Sequence, residues 1–225
     1  MPFVDYNLAC PNCDSSDAFA IDDKGWGKCF SCGSNVPPVV SEGPSGRVVK
    51  LPTRKPPTEP YNASQPLSHR ALSERRIAEE TCKRYNVGWR GPHLVFPYGD
   101  AAKVRVNGEK QFKIEGNWQE STELFGQSLF AAGQKYIIVV EGELDALAAH
   151  QMMGYKTPVV SVRNGVQSAL KDVKTNYQYL DTFEHVVFCF DNDAAGHDAQ
   201  MQCAELFSHK AKCVVHVNGY KDACD

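Results

Sequence analysis

"HVVFCFDNDAAG", residues 185–196, sets an apolar run with strand character against two carboxylates, Asp191 and Asp193, ahead of a helix-forming stretch. The same pattern recurs on either side of it. "KYIIVVE" leads into "GELDALAAHQMMG", "TPVVSV" leads into a helical stretch to about Thr182, and "DAAGHDAQMQCAELF" leads into "KCVVHV". Short apolar runs that take turns with helical ones predict βαβ units, and so a parallel sheet with helices on its faces. Ligands of such sheets bind outside the carboxyl ends of the strands. The acids fall there: Glu141 closes the first strand, Asp191 and Asp193 close the third, and Asp222 follows the last after a short turn. Three or more negative groups at one rim are costly unless divalent cations neutralise them. Oxygen ligands favour magnesium or manganese, held with several waters and substrate phosphates. Helix capping is the competing use for such acids, but it does not explain why they recur on separate strands.

Composition bounds the setting. A chain of 225 residues, 42% hydrophobic and 23% charged, fits one large or two small globular domains. No apolar run reaches the roughly 18 residues of a membrane span, and "MPFVDYNLACPNC" lacks the basic-then-apolar order of a secretion signal. A cytoplasmic protein with no membrane partner is expected. The net charge of −3 conceals an asymmetry: residues 1–35 carry −3, residues 36–113 carry +7 and residues 114–225 carry −7. A basic middle beside an acidic end suits a polyanion held by one region and cations concentrated by the other.

Near the N-terminus, Cys10 and Cys13 are separated by fifteen residues from Cys29 and Cys32. Two such knuckles supply four thiolates for a closed tetrahedral zinc site, and a segment this short cannot bury enough apolar surface to fold without a metal. The other five cysteines show no ligand spacing and are expected to pack as small hydrophobes. Trp26, Lys28 and Phe30 alternate beside Cys29, either as one exposed face that stacks on unpaired bases or as part of the ribbon's small core. Eight of the thirteen prolines lie in residues 34–66, which predicts an extended, semi-rigid linker.

Beyond the linker, "SHRALSERRIAEETCKRY" reads as helical. "GPHLVFPYGDAAKVRVNGEKQFKIEG" then places Asn107-Gly108 between alternating runs, a strong hairpin signal. A two-residue loop there sets Arg105 opposite Lys110 and Lys103 opposite Phe112, with all four on one face. Like charges opposite one another destabilise a hairpin, which makes sense if an anion lies between them. The expected organisation is a zinc ribbon at 1–35, a Pro-rich linker at 36–66, a basic mixed α+β subdomain at 67–134 and an α/β domain with a parallel sheet at 135–225.

"VVEGELDAL", then "FDNDAAG" fifty residues after Glu141, then "YKDA", resembles the TOPRIM motif set of primases, topoisomerases and certain nucleases. The order of modules, with "KVRV" and "KQFK" ahead of these motifs, resembles the primase half of the bifunctional primase-helicases of short-tailed phages of the T7 kind. That resemblance implies Glu141 as catalytic glutamate, Asp191 and Asp193 as metal-binding pair, and Asp145 and Asp222 as further acidic positions. It implies Lys103 and Lys110 as catalytic-core lysines; Arg105, Lys113, Trp26 and Lys28 are expected beside them in nucleotide or nucleic-acid contact. The implied cofactors are one structural zinc and, at the acids, magnesium or manganese, two ions. The implied activity is RNA primer synthesis on single-stranded DNA from ribonucleoside triphosphates, in phage replication inside the host cytoplasm, with a replicative helicase and a DNA polymerase as partners. Trp26 stands where the T7 kind has a histidine, and "SVRNG" replaces its "SLGHG". No "GKS" or "GKT" motor motif occurs in the chain, so helicase activity is not expected of it, and "KDACD" looks like a cut before a helicase half. A TOPRIM recombination mediator and a TOPRIM nuclease are the alternatives, the first disfavoured because only nine residues precede Cys10.

Overall fold

The computed structural model describes residues 3–13, 15–36, 60–106, 111–217 and 219–224, in two units, Met1–Thr58 and Glu59–Asp225. Most of the proline-rich segment lies outside the described residues. In the first unit, strands β1 (Phe3–Leu8), β2 (Phe19–Asp22), β3 (Gly27–Cys29) and β4 (Asn35–Val36) form an antiparallel sheet in chain order. Its core is small, with Leu8, Phe19, Cys10 and Cys29 buried together.

The second unit holds two four-stranded sheets. The antiparallel one runs in chain order through β5 (Gly88–Arg90), β6 (His93–Tyr98), β7 (Ala101–Arg105) and β8 (Phe112–Gly116). The parallel one is built from β9 (Tyr136–Val140), β10 (Val159–Ser161), β11 (His185–Cys189) and β12 (Ala211–Cys213), in the order β10-β9-β11-β12. The chain leaves β9 through α2 (Glu143–Met152) to reach β10, then returns past β9 to β11 through α3 (Val166–Thr175) and α4 (Tyr177–Leu180); α5 (Ala194–Glu205) leads to β12. The strand order therefore reverses between β9 and β11, which puts a crevice at their carboxyl ends.

Alternation along the parallel strands sorts their side chains onto two cores. Ile137, Val139, Val160, Val186 and Phe188 face α3 and α5. Val140 and Val159 face α2, whose Ala146–Ala149 run is buried. A helix apolar around its circumference needs cover on both sides. The second cover is the antiparallel sheet, which gives Leu94, Phe96, Tyr98 and Ala101 to the same core. Its other face packs Val95, Ala102 and Val104 under Tyr61 and Leu67.

Three sequence expectations differ from the structure. The helix expected from "SHRALSERRIAEETCKRY" is confined to α1 (Glu79–Arg84). Upstream of it Ser68 pairs with Trp89, Leu72 pairs with Ile77, and Arg76 turns left-handed at φ 53°. The hairpin register also differs: Arg105 sits opposite Phe112 and Lys103 opposite Ile114, and the Val106 N–H donates to the Gln111 carbonyl at 3.0 Å. The strands separate two residues earlier than a two-residue loop allows, and an aromatic ring replaces a like charge opposite Arg105. Asn107, Gly108 and Lys110 themselves lie outside the described residues. Finally, Cys213 is exposed on the edge strand, whereas Cys82 and Cys203 are core and Cys189 and Cys224 pack against it. Among the described residues no helix is long and apolar enough to cross a membrane.

Because α2 serves both sheets, Leu147→Ala, at a fully buried position, is expected to cost about 2–5 kcal/mol. Thermal melts followed by far-UV and near-UV circular dichroism on the 59–225 unit should shift together; a transition that splits, with one sheet surviving, contradicts a shared core.

Candidate metal and nucleotide site

Each acid reaches the crevice from a different element. Glu141 follows β9 directly, and its Oε1 accepts a hydrogen bond from the Val166 N–H at 3.3 Å, at the start of α3. The approach is close: Gly165 has φ 64°, and a Cβ there would meet Glu141 Oε1 at 3.3 Å. Burial, then the Asp191 charge, raises the Glu141 carboxyl above the ordinary range, against the lowering effect of the Val166 and Asp191 N–H groups. Asp145 lies in the first turn of α2. Burial first, then the charges of Asp222, Asp191 and Glu141, push it up to about 7.

Asp191 follows β11, and its Oδ2 pairs with Lys221 Nζ at 2.8 Å. Asp193 caps α5, its Oδ1 accepting the Gly196 N–H at 2.8 Å. The capping use of acids is therefore realised at Asp193, whereas no side chain caps α2. Gly196 cannot be replaced there, since a Cβ would fall 2.3 Å from the Asp191 carbonyl oxygen. Asp222 Oδ1 accepts the Cys224 N–H at 2.8 Å. Among the described residues no trio of acidic oxygens is drawn within 4.8 Å, a closeness reached by the cysteine quartet. The Lys221 ammonium occupies one of the acids, Asp191.

The antiparallel sheet contributes Lys103. Its Nζ donates to Glu143 Oε1 at 2.9 Å and to the Arg163 carbonyl at 3.1 Å, and stands 4.6 Å from the Phe112 ring centroid. Tyr98 Oη donates to the same Glu143 oxygen at 2.6 Å. Arg105 shares the inner face with Lys103 by strand parity, whereas Lys113, opposite Val104, is on the outer face. Lys110 lies outside the described residues.

In the first unit, the Sγ atoms of Cys10 and Cys32, and of Cys13 and Cys29, are 3.8 Å apart. A tetrahedron with Zn–S bonds of about 2.3 Å has edges of about 3.8 Å, so the quartet fits zinc. The Ser34 hydroxyl and N–H lower the Cys32 thiol to about 6. The Ser15 N–H acts to lower Cys13, but burial and bonds to the other thiols prevail and push it up to about 12. The four thiols therefore do not all ionise together without a cation. Trp26 and Phe30 are exposed, at 48% and 59%, which excludes them from the ribbon core. Phe3 packs edge-on against Phe30 at 5.5 Å, and Lys28 Nζ is 5.6 Å from the Phe30 centroid.

Several residues at the crevice escaped sequence reasoning. The Asn192 N–H donates to the Lys221 carbonyl at 2.7 Å, fixing the C-terminal segment that carries Asp222. Arg163 lays its guanidinium 4.1 Å from the Trp118 centroid and gives its N–H to Asp172 Oδ2. Glu143 stands in "EGELDAL" between Glu141 and Asp145, two residues from each, and that position is the available signal.

A Toprim-like family model matches residues 138–225, the stretch that carries all five acids. The DNA helicase/primase of Enterobacteria phage T3 is 32% identical over 241 residues, covering 97% of this chain and 40% of the T3 protein. The chain thus spans less than half the length of that curated relative. Among solved structures, the primase fragment of the bacteriophage T7 primase-helicase protein is 30% identical, with a TM-score of 0.67 over 99% of this chain and 93% of the fragment. A second match comes from a structure of the T7 lagging-strand DNA polymerase interacting with primase domains bound to an RNA/DNA hybrid and dTTP. It is 30% identical, with a TM-score of 0.61 over 73% of this chain and 88% of that one.

The raised Asp145 carboxyl links pH to stability. From its ordinary value near 3.8 up to about 7, the folded chain keeps a proton that the unfolded chain sheds, so stability falls as pH rises through that window. In EDTA the melting temperature should drop between pH 5 and 8, the slope should flatten in Asp145→Asn, and magnesium should restore the wild type at pH 8. An equal slope in wild type and Asp145→Asn contradicts this origin.

Proposed function

We propose, for a chain that belongs to the primase family of the T7-type phage primase-helicases, template-directed synthesis of short RNA primers on single-stranded DNA. The observation that carries this reading is the gathering of Glu141, Asp145, Asp191 and Asp222 at the switch point, close enough for burial and mutual charge to hold Asp145 at about 7. Such a rim favours divalent cations over any neutral ligand. Asp191 and Asp193 would hold magnesium or manganese, with Asp145 and Asp222 behind them and Glu141 beside the ions, and the Cys10, Cys13, Cys29 and Cys32 quartet would hold zinc. When bound, the divalent ions supply charge neutralisation of triphosphate oxygens and a lowered pKa for the attacking hydroxyl.

The chain's own groups divide the remaining work. In the joining step a ribonucleotide 3′-hydroxyl attacks the α-phosphate of the incoming triphosphate, and pyrophosphate leaves. Glu141, at the end of β9 with its carboxyl raised by burial and by the Asp191 charge, suits the general base that takes the hydroxyl proton, since a raised carboxyl is the stronger base. Lys103 spends two of its three N–H donors on Glu143 and Arg163, which leaves one for a phosphate oxygen. Its charge is offset by Glu143, so Lys103 orients a phosphate more than it neutralises one. Trp26, Lys28 and Phe30 present exposed rings and a cation suited to unpaired template bases. The helicase and DNA polymerase partnerships of the relatives extend to this chain as part of the same proposal.

Incubation with single-stranded DNA, labelled ribonucleotides and magnesium should yield short RNA products. Glu141→Ala should reduce synthesis about 10²–10⁴-fold with template binding intact, and Lys103→Ala should weaken nucleotide affinity and flatten its salt dependence. Shortened DNA in place of primers, or Glu141→Ala retaining more than about a tenth of synthesis, would overturn the assignment.

A further inference from the structure

The outer face of the antiparallel sheet holds a cleft of mixed polar and apolar lining that primer synthesis at the acidic rim does not use. Strand parity turns Arg90, His93, Val104, Lys113 and Glu115 to that face, away from Lys103. They bound a cavity of 540 Å³, within the roughly 300–1,000 Å³ usual for small-molecule sites. Its far wall is an ion pair: Arg90 Nη2 donates to Glu115 Oε1 at 2.5 Å, with the side chains 23% and 7% exposed. A buried pair of this kind is weak evidence of stabilisation, because desolvation cancels much of its attraction. Glu115 meets Arg90 through Oε1 alone among the described hydrogen bonds. His93, in the same lining, has its Nδ1 buried with no hydrogen-bond partner among the described residues. Pro60, Val104 and Val106 add apolar surface.

The geometry points to this cleft as a second binding site, for an unpaired guanine base carried by a free nucleotide or by a single strand. A guanidinium beside a carboxylate matches an edge that offers an acceptor next to donors. Among the common bases guanine alone sets one acceptor, O6, beside two adjacent donors, N1–H and the N2 amine. Arg90 supplies the donor for O6, Glu115 accepts from N1 and N2, and the apolar side chains take the ring face. Lys113, on the same face, adds a positive charge to the lining. The cleft lies on the outer face of the antiparallel sheet, whereas the acids follow strands of the parallel sheet, so binding at the cleft requires no divalent ion.

Isothermal titration of the full chain with GMP in EDTA tests this, and failure of primer synthesis would leave its outcome untouched. Saturable binding is expected, with IMP, which lacks the N2 amine, about tenfold weaker. Glu115→Gln should abolish the preference for GMP over IMP. Because that change disturbs a buried pair, Gln65→Trp, at an exposed position of the lining, blocks the cleft while leaving the pair intact. It should weaken binding at least about tenfold, a loss of about 1.4 kcal/mol. Short oligonucleotides with and without a central guanine separate the sources. If the wild type binds the guanine oligonucleotide more tightly than GMP, and Gln65→Trp weakens both, the strand is the natural ligand; if GMP binds at least as tightly, the free nucleotide is. Wild-type affinity of Gln65→Trp for both ligands, equal binding of GMP and IMP, or loss of binding in Asp191→Asn/Asp193→Asn overturns the proposal.

Discussion

Repulsion among carboxylates that the fold forces together is the constraint around which the second unit is arranged. Glu141 and Asp191 are fixed by adjacent parallel strands, so they cannot separate without breaking the β9–β11 ladder. Asp145 is brought in by the first turn of α2, and Asp222 by a segment pinned through Asn192. Part of this charge is offset locally by backbone N–H groups at Glu141 and Asp193 and by the Lys221 ammonium at Asp191. What is left unbalanced shows as the elevated Asp145 carboxyl. A rim that is strained alone and relieved by a cation is arranged for a ligand that brings positive charge or positively clamped phosphates.

The antiparallel sheet answers that rim with one buried cation. Lys103 is tied to α2 through Glu143, to the β10–α3 loop through the Arg163 carbonyl, and to its own sheet by Phe112. Tyr98 donates to the same carboxylate oxygen, so the junction of the two sheets is a polar network set in an apolar core. Removing one member would leave a buried charge uncompensated, an outcome costlier than the net contribution of the pair. The same side chains thus join the sheets and hold an ammonium over the crevice, which couples the stability of the fold to the placement of a functional group.

Much of this was legible in the sequence because it depends on periodicity and on strand ends. The alternation of apolar and helical runs located all four parallel strands, and the acids at their ends fixed the rim. The cysteine spacing identified the quartet, since the metal geometry admits few alternatives. What failed was decided by interactions remote in sequence. The helix expected from Ser68 shrank to Glu79–Arg84 because Ser68 pairs with Trp89. The hairpin register departs from the one Asn107-Gly108 suggests, with Arg105 opposite Phe112 in place of Lys110. The partnership of Lys103 with Glu143 spans forty residues, and no local pattern encodes it. Whether Trp26 and Phe30 are buried could not be decided from alternation alone, since a three-residue strand presents the same pattern either way.

The central claim is that the acids at the switch point form a divalent-cation site. The most direct measurement is manganese anomalous scattering from crystals of the full chain soaked in manganese, with the zinc edge recorded from the same crystals. The account predicts manganese density coordinated by Asp191 and Asp193 beside Glu141, alongside zinc density within the cysteine quartet. Zinc density at the cysteines with no manganese at the acids, in crystals where that rim is open to solvent, would contradict it.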